Sequence, residues 1–208
     1  GIAQELYEGT NGQSGLITYM RTDSTSISPI ARTQAREFAA QTWGGAYIPE
    51  KPRVYTTRSR GAQEAHEAIR PTNPAATPES LRRSLSADQL RVYTLIWQRF
   101  MASQMADARY ATVAVEIEAR EGPVQQGIFR SSSSTLTFEG HLKVYGADAG
   151  EAVATDEDEE GLQGSLPELA AGDGLERRRV DGERHQTEPP PRYTEATLVR
   201  ALEEDGIG

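Results

Sequence analysis

The feature that most constrains this chain is a change in the period of its apolar residues near position 111. Before it, Leu90, Tyr93, Ile96, Trp97, Phe100, Met101 and Met105 recur at three- and four-residue spacing, which predicts a helix with one heavily buried face. Burial accounts for this aromatic stripe fully, without a cofactor. Ser86-x-x-Gln89 reads as a capping box for the same helix, with Leu85 and Leu90 placed as a hydrophobic staple. After it, Val113, Val115 and Ile117 alternate with Ala114, Glu116 and Glu118, the pattern of a strand with one wet face. Gly122-Pro123 reads as a turn, and Val124 to Phe129, Ser134 to Phe138 and Leu142 to Tyr145 as further strands. Leu166 to Val180, folded about Gly172-Asp173-Gly174, predicts a last pair. The expected class is therefore α+β, a mainly helical part followed by antiparallel β structure.

Other elements carry local signals of their own. Ile2 to Tyr7 has helical spacing, broken by the Gly, Asn, Gln and Ser of residues 9–15. Ser28-Pro29 is a good helix start, and Ala31, Ala35, Phe38, Ala39 and Thr42 share one face until Gly44-Gly45 stops it. The N-terminus of that helix offers partial positive charge to a phosphate, although a scaffold role is the commoner one for such a helix. Thr77-Pro78-Glu79 starts a short helix. Residues 46–62 read as a loop carrying Lys51, Arg53, Arg58 and Arg60 among Tyr47 and Tyr55. Such a mixture suits a single-stranded backbone track, and a solvated loop explains the same letters. The acidic run from Thr155 to Gly161 reads as a solvated, self-repelling insertion, with mimicry of DNA or capture of a basic partner as the less common use of such a run. Pro-rich residues 186–192 form a linker, and Thr194 caps a helix that begins there.

The stretch with chemical potential is Gly15-Leu-Ile-Thr-Tyr-Met-Arg-Thr-Asp-Ser-Thr25. Leu16, Ile17 and Thr18 favour a strand, and Asp-Ser-Thr supplies turn chemistry, so the segment reads as a short strand ending in a loop. Extended backbone would turn Tyr19 and Arg21 the same way. A phenol with an ordinary pKa of about 10 needs a nearby permanent cation to attack an anionic phosphodiester, and a guanidinium bonds two phosphate oxygens at once. The same spacing also describes a half-buried Tyr beside a surface charge. About forty residues later comes Gln63-Glu-Ala-His-Glu-Ala-Ile-Arg-Pro-Thr72. In it Glu67 can pair with Arg70, and a helical turn would put His66 and Arg70 on one face. A His among Glu side chains tends to keep its proton, which suits a phosphate contact, though a surface His beside an ion pair fits the letters too.

These two strings, in this order, resemble the active-site region of bacterial type IA DNA topoisomerases, closer in wording to the topoisomerase I type than to topoisomerase III or reverse gyrase. The resemblance covers nearly the whole chain. It implies that Tyr19 forms a transient 5′-phosphotyrosine bond, that Arg21 positions the scissile phosphate, and that Asp23, His66 and Arg70 lie near bound DNA. It implies a tyrosine-bearing domain over 1–108, part of a β-rich arch over 109–186, including Phe138-x-Gly140-x-x-Lys143-Val144-Tyr145, and the start of a further DNA-binding domain over 187–208. The implied activity is relaxation of negatively supercoiled DNA without ATP, by cutting one strand, passing another and resealing. In such enzymes Mg2+ is held by an acidic cluster in a separate N-terminal domain, together with a Glu and a Lys at the cleavage site. No metal ligands are expected among these residues, so the piece alone is expected to be inactive. A non-catalytic module that binds single-stranded DNA is the other reading, and a purely structural hinge a third.

Composition sets limits. The net charge of −9 argues against a nucleic-acid partner for the chain as a whole. Residues 1–110, however, carry 13 Lys and Arg against 10 Asp and Glu, and the remainder carries 9 against 21. The Tyr19 half is the one that tolerates phosphate. There is no Cys, which removes disulfides, thiolate metal sites and a cysteine nucleophile and fits a reducing, cytoplasmic setting; nucleoid association is what the resemblance implies. No run of about 18 apolar residues occurs, so no membrane span is expected. The partners expected are single-stranded or supercoiled DNA and the rest of the chain's own polypeptide.

Overall fold

Ser28 and Pro29 begin the first long helix, α2 (Pro29–Trp43), where the Ser28 hydroxyl accepts from the Ala31 N–H at 3.3 Å. A cap of this kind contributes about 1 kcal/mol. The computed structural model describes residues 1–9, 14–22, 24–55, 67–122, 124–146, 166–179, 181–182, 184, 186–187 and 189–204. They fall into two units, Gly1–Pro167 and Glu168–Gly208. The fold is α+β, as expected.

In the first unit α1 (Ile2–Glu8), α2, α3 (Pro78–Leu81) and α4 (Ala87–Ser103) precede an antiparallel pair, β1 (Arg109–Glu121) and β2 (Val124–Phe138). The core follows the predicted stripes. Ala31, Ala35 and Ala39 are buried on α2, and Tyr93, Trp97, Phe100 and Met101 on α4, with Leu6, Ile17 and Met105 between. Each large side chain so buried stabilises the fold by about 1.5–3 kcal/mol. The polar ends of the aromatics are satisfied by the turn before α3: Tyr93 donates to Ala76 O at 2.6 Å and Trp97 Nε1 to Pro74 O at 2.9 Å. Burial pushes the Tyr93 hydroxyl well above its ordinary range. The predicted capping box closes in both directions, Ser86 with Gln89.

Two backbone approaches depend on glycine. A Cβ on Gly15 would stand 2.0 Å from the Tyr7 carbonyl oxygen, and one on Gly140, at φ +51°, would stand 2.4 Å from the Asp107 carbonyl. Only a residue without a side chain lets the chain pass there.

Three sequence expectations are corrected. The runs Val124–Phe129 and Ser134–Phe138 form one strand, because Arg130 to Ser133 continue the ladder opposite Glu116 to Val113. Leu142–Tyr145 is not a strand: residues Gly140–Val144 make a 3-10 turn. Gly140 bends the chain there, His141 N–H bonds Ala106 O at 2.8 Å, and Leu142 and Val144 are buried, so alternating apolar residues mark a turn facing the core. Residues 166–179 form no ladder, although the turn holds, with the Asp173 N–H on Ala170 O at 3.1 Å. An isolated two-stranded ribbon is marginal in water, and adjacent Arg177, Arg178 and Arg179 repel along it. The face of β1 that carries Val113, Val115 and Ile117 is only partly covered, with Val113 exposed.

The second unit holds α5 (Glu195–Glu204). Thr194 caps it as predicted, its Oγ1 accepting from the Thr197 N–H at 3.2 Å.

Candidate functional site

Ile17 is buried and pairs with Pro71 in an antiparallel bridge. Thr18 N–H donates to Arg70 O and Thr72 N–H to Leu16 O, each at 2.9 Å. The Thr18 hydroxyl adds a second tie, donating to Ala68 O at 2.8 Å and accepting from the Arg70 N–H at 2.9 Å. Thr72 Oγ1 returns a bond to Gly15 O at 2.9 Å. The strings around Tyr19 and around Glu67 to Thr72, distant in sequence, are thus laced into one surface.

Beyond Thr18 the chain leaves this support. Tyr19 is 55% exposed, and its ring meets the edge of Tyr7 with centroids 5.4 Å apart. A nucleophile must reach its substrate, and this phenol is open to solvent. The Arg21 N–H bonds Tyr19 O at 3.0 Å, so the backbone turns where extended strand was expected. Strand alternation therefore does not govern how Tyr19 and Arg21 relate. Both side chains are exposed. Asp23 and His66 lie outside the described residues.

Arg70 and Glu67 form the pair predicted from spacing, with Nε to Oε1 at 2.8 Å and a second nitrogen to Oε2 at 3.0 Å. Arg70 also donates to Pro71 O at 2.9 Å, and its side chain is 13% exposed. Three of its nitrogens thus serve the protein, which leaves little of it to face a strand. Glu67 Oε1 accepts in addition from the Ser28 N–H at 2.9 Å. Burial alone would raise this carboxyl, but the bonds from Arg70 and Ser28 reverse that and hold it below the usual carboxylate range. The start of α2 is thereby supplied with an anion from within the chain, which decides for the scaffold role. Sequence reasoning found the Glu67–Arg70 pair but missed its link to Ser28, and it read Thr18 only as a strand former.

The basic loop divides. Arg53 donates to Met105 O at 3.0 Å and to the Asp107 carboxylate at 2.5 Å. The Tyr47 hydroxyl donates to Glu139 at 3.1 Å while its ring packs on Phe138. These two groups fasten the loop to the base of the β pair. Tyr55 is anchored through its hydroxyl on Ser103 O at 2.8 Å but keeps 42% of its surface open. Arg58 and Arg60 lie outside the described residues.

Among the described residues no three His, Asp or Glu side chains converge on one point, so they do not fit a divalent cation, and no step is routed through one. No helix among them is long and apolar enough to cross a membrane.

Comparison with known proteins bears on this surface. A family profile described as DNA topoisomerase matches residues 1–208. The chain is 47% identical over 208 residues to DNA topoisomerase 1 of Mycobacterium leprae and 44% over 211 residues to that of Xylella fastidiosa. All of this chain is covered, but only 21% and 25% of those proteins, so it spans a quarter of their length or less. The solved structure of full-length topoisomerase I from Thermotoga maritima superposes with a TM-score of 0.70 at 33% identity, over 100% of this chain and 31% of that one.

Proposed function

This chain belongs to the bacterial DNA topoisomerase family, and from that premise we propose that it is the nucleophile-bearing part of a type IA enzyme that cuts and reseals one DNA strand. The observation that carries the reading is the exposed Tyr19 phenol at the end of a segment hydrogen-bonded to residues 68–72.

In the proposed reaction the Tyr19 oxygen attacks the scissile phosphorus and its proton is given up. The 3′ oxygen leaves and takes a proton, so one P–O ester bond replaces another. Arg21 offsets the charge that grows on the phosphate oxygens, a contribution of about 3–4 kcal/mol where one such donor has been removed elsewhere. Because an ester of similar stability is kept, the 3′ hydroxyl reverses the step without ATP. A second strand passes while the break is open, which relaxes negative supercoils. Asp23 and His66 are proposed to contact the strand near the cut, and Arg70 to act mainly by holding Glu67 against Ser28. In this reading residues 1–108 bear the nucleophile, 109–186 begin the arch and 187–208 lead into a further domain.

Catalysis is shared with residues elsewhere in the full-length protein, among them the acidic groups that would hold Mg2+. We therefore propose that the 208 residues alone do not relax DNA. The test mixes the full-length protein with a single-stranded oligonucleotide and isolates covalent adduct after denaturation. Adduct is expected at Tyr19, and its persistence in a Tyr19→Phe variant would defeat the reading.

A further inference from the structure

Ser24 and Thr25, which follow Tyr19 along the chain, line an open cleft of about 850 Å3 within the first unit. Pockets that enclose small organic ligands run from about 300 to 1,000 Å3, so the space suffices for a ligand of that size. Its lining has a specific chemistry. Arg53 is there, but its charge is offset by Asp107, to which it is bonded. Arg99, near the end of α4, also lines the cleft; it is exposed and has no partner among the described residues. His141 lines it as well, its backbone fixed by the bond to Ala106 O.

Two aromatic rings complete the lining. Tyr55 is 42% exposed and held through its hydroxyl, and Tyr145 is 36% exposed and fixed through its backbone N–H on Leu142 O at 3.0 Å. The Tyr55 ring, held at its hydroxyl end with its body open, is a stacking platform that loses little entropy on use. Ser24, Thr25, Ser103 and Phe100 also line the cleft. A cation with no partner among the described residues, an imidazole and two part-exposed rings suit an anion that carries flat bases.

We propose that this cleft is a seat for single-stranded nucleic acid, in which a phosphate pairs with Arg99 and His141 and a base stacks on Tyr55 or Tyr145. It rests on the Tyr19 reading for the presence of a strand and extends it by naming where that strand runs. The basic loop first suggested a track through Lys51, Arg53, Arg58 and Arg60 with Tyr47 and Tyr55. The structure moves the cation from Arg53, which is bonded to Asp107, to Arg99, for which the described residues offer no partner, and keeps Tyr55 as a ring beside it.

The test uses the 208-residue chain carrying Tyr19→Phe, which cannot form adduct, and a fluorescein-labelled deoxythymidine 12-mer at low salt. Arg99→Ala should raise Kd about tenfold and reduce the salt slope by about 0.7, the value for one single-strand phosphate contact. Tyr145→Ala should raise Kd about fivefold or more, with thermal melts showing both variants folded. Unchanged Kd and slope in both variants, or no binding by the parent chain, would overturn the proposal. Adduct formation in the full-length protein is read separately. Adduct that forms undiminished with Arg99→Ala, together with unchanged binding, removes the cleft and leaves the Tyr19 reading standing. Cleft binding without any adduct does the reverse.

Discussion

The hydroxyl of Thr18 donates to the carbonyl oxygen of Ala68 at 2.8 Å, across fifty residues of chain. The Thr18 hydroxyl oxygen in turn accepts from the Arg70 N–H, so one side chain completes the pairing of two segments where the regular bridge ends. Tyr19 is the next residue. Its position at the surface is therefore inherited from Thr18, and this gives the first prediction.

Thr18→Val keeps the shape and removes the oxygen, leaving the Arg70 N–H without its side-chain partner. A loss of about 1–3 kcal/mol is expected in denaturant unfolding, and Thr18→Ser should restore most of it. In the full-length protein, adduct yield should fall in Thr18→Val and recover in Thr18→Ser. Unaltered stability in the Val variant would show that the tie contributes nothing.

Glu67 makes stability depend on pH. Its folded carboxyl lies below the ordinary 4.5, so the unfolded chain binds more protons in that range. The stabilisation is present above about pH 4.5 and is lost as pH falls through the folded value. Melting temperature between pH 6 and 3 should decline, and Glu67→Gln should melt lower at pH 6 with a shallower decline. Parallel curves for the two proteins would contradict the assignment.

Gly15→Ala tests the close passage of the chain past Tyr7. With the carbonyl oxygen 2.0 Å from the new methyl, the end of α1 and the segment leading to Tyr19 cannot both keep their places. A destabilisation of about 3 kcal/mol or more is expected from thermal melts followed by circular dichroism. A variant as stable as the parent would mean that the two segments separate easily.

Arg21→Ala probes the guanidinium two residues after the nucleophile. Adduct formation by the full-length protein should slow about 100-fold or more, as when one transition-state donor is removed. Oligonucleotide binding at low salt should weaken far less. Equal losses in both measurements would assign Arg21 to ground-state binding.

Much of this protein is legible before any coordinates. The stripe from Leu90 to Met105, the caps at Ser28, Thr77, Ser86 and Thr194 and the alternation after Ala111 are local signals. Each is read by the backbone within a few residues, and each formed where expected. The wording around Tyr19 likewise carried the family.

What the residues could not announce are the meetings between distant parts. Thr18 finds Ala68, Glu67 finds Ser28, Arg53 finds Asp107, and Gly140 passes the Asp107 backbone closely enough to turn an expected strand into a 3-10 turn. Local propensity is a matter of tenths to about one kcal/mol per residue, so burial and long-range hydrogen bonds override it wherever they conflict. The sequence by itself determined the elements and the chemistry available at Tyr19. Only the tertiary structure decided which groups, such as Thr18, Glu67 and Arg53, are spent holding the site together, because the atoms that satisfy them lie far away in the chain.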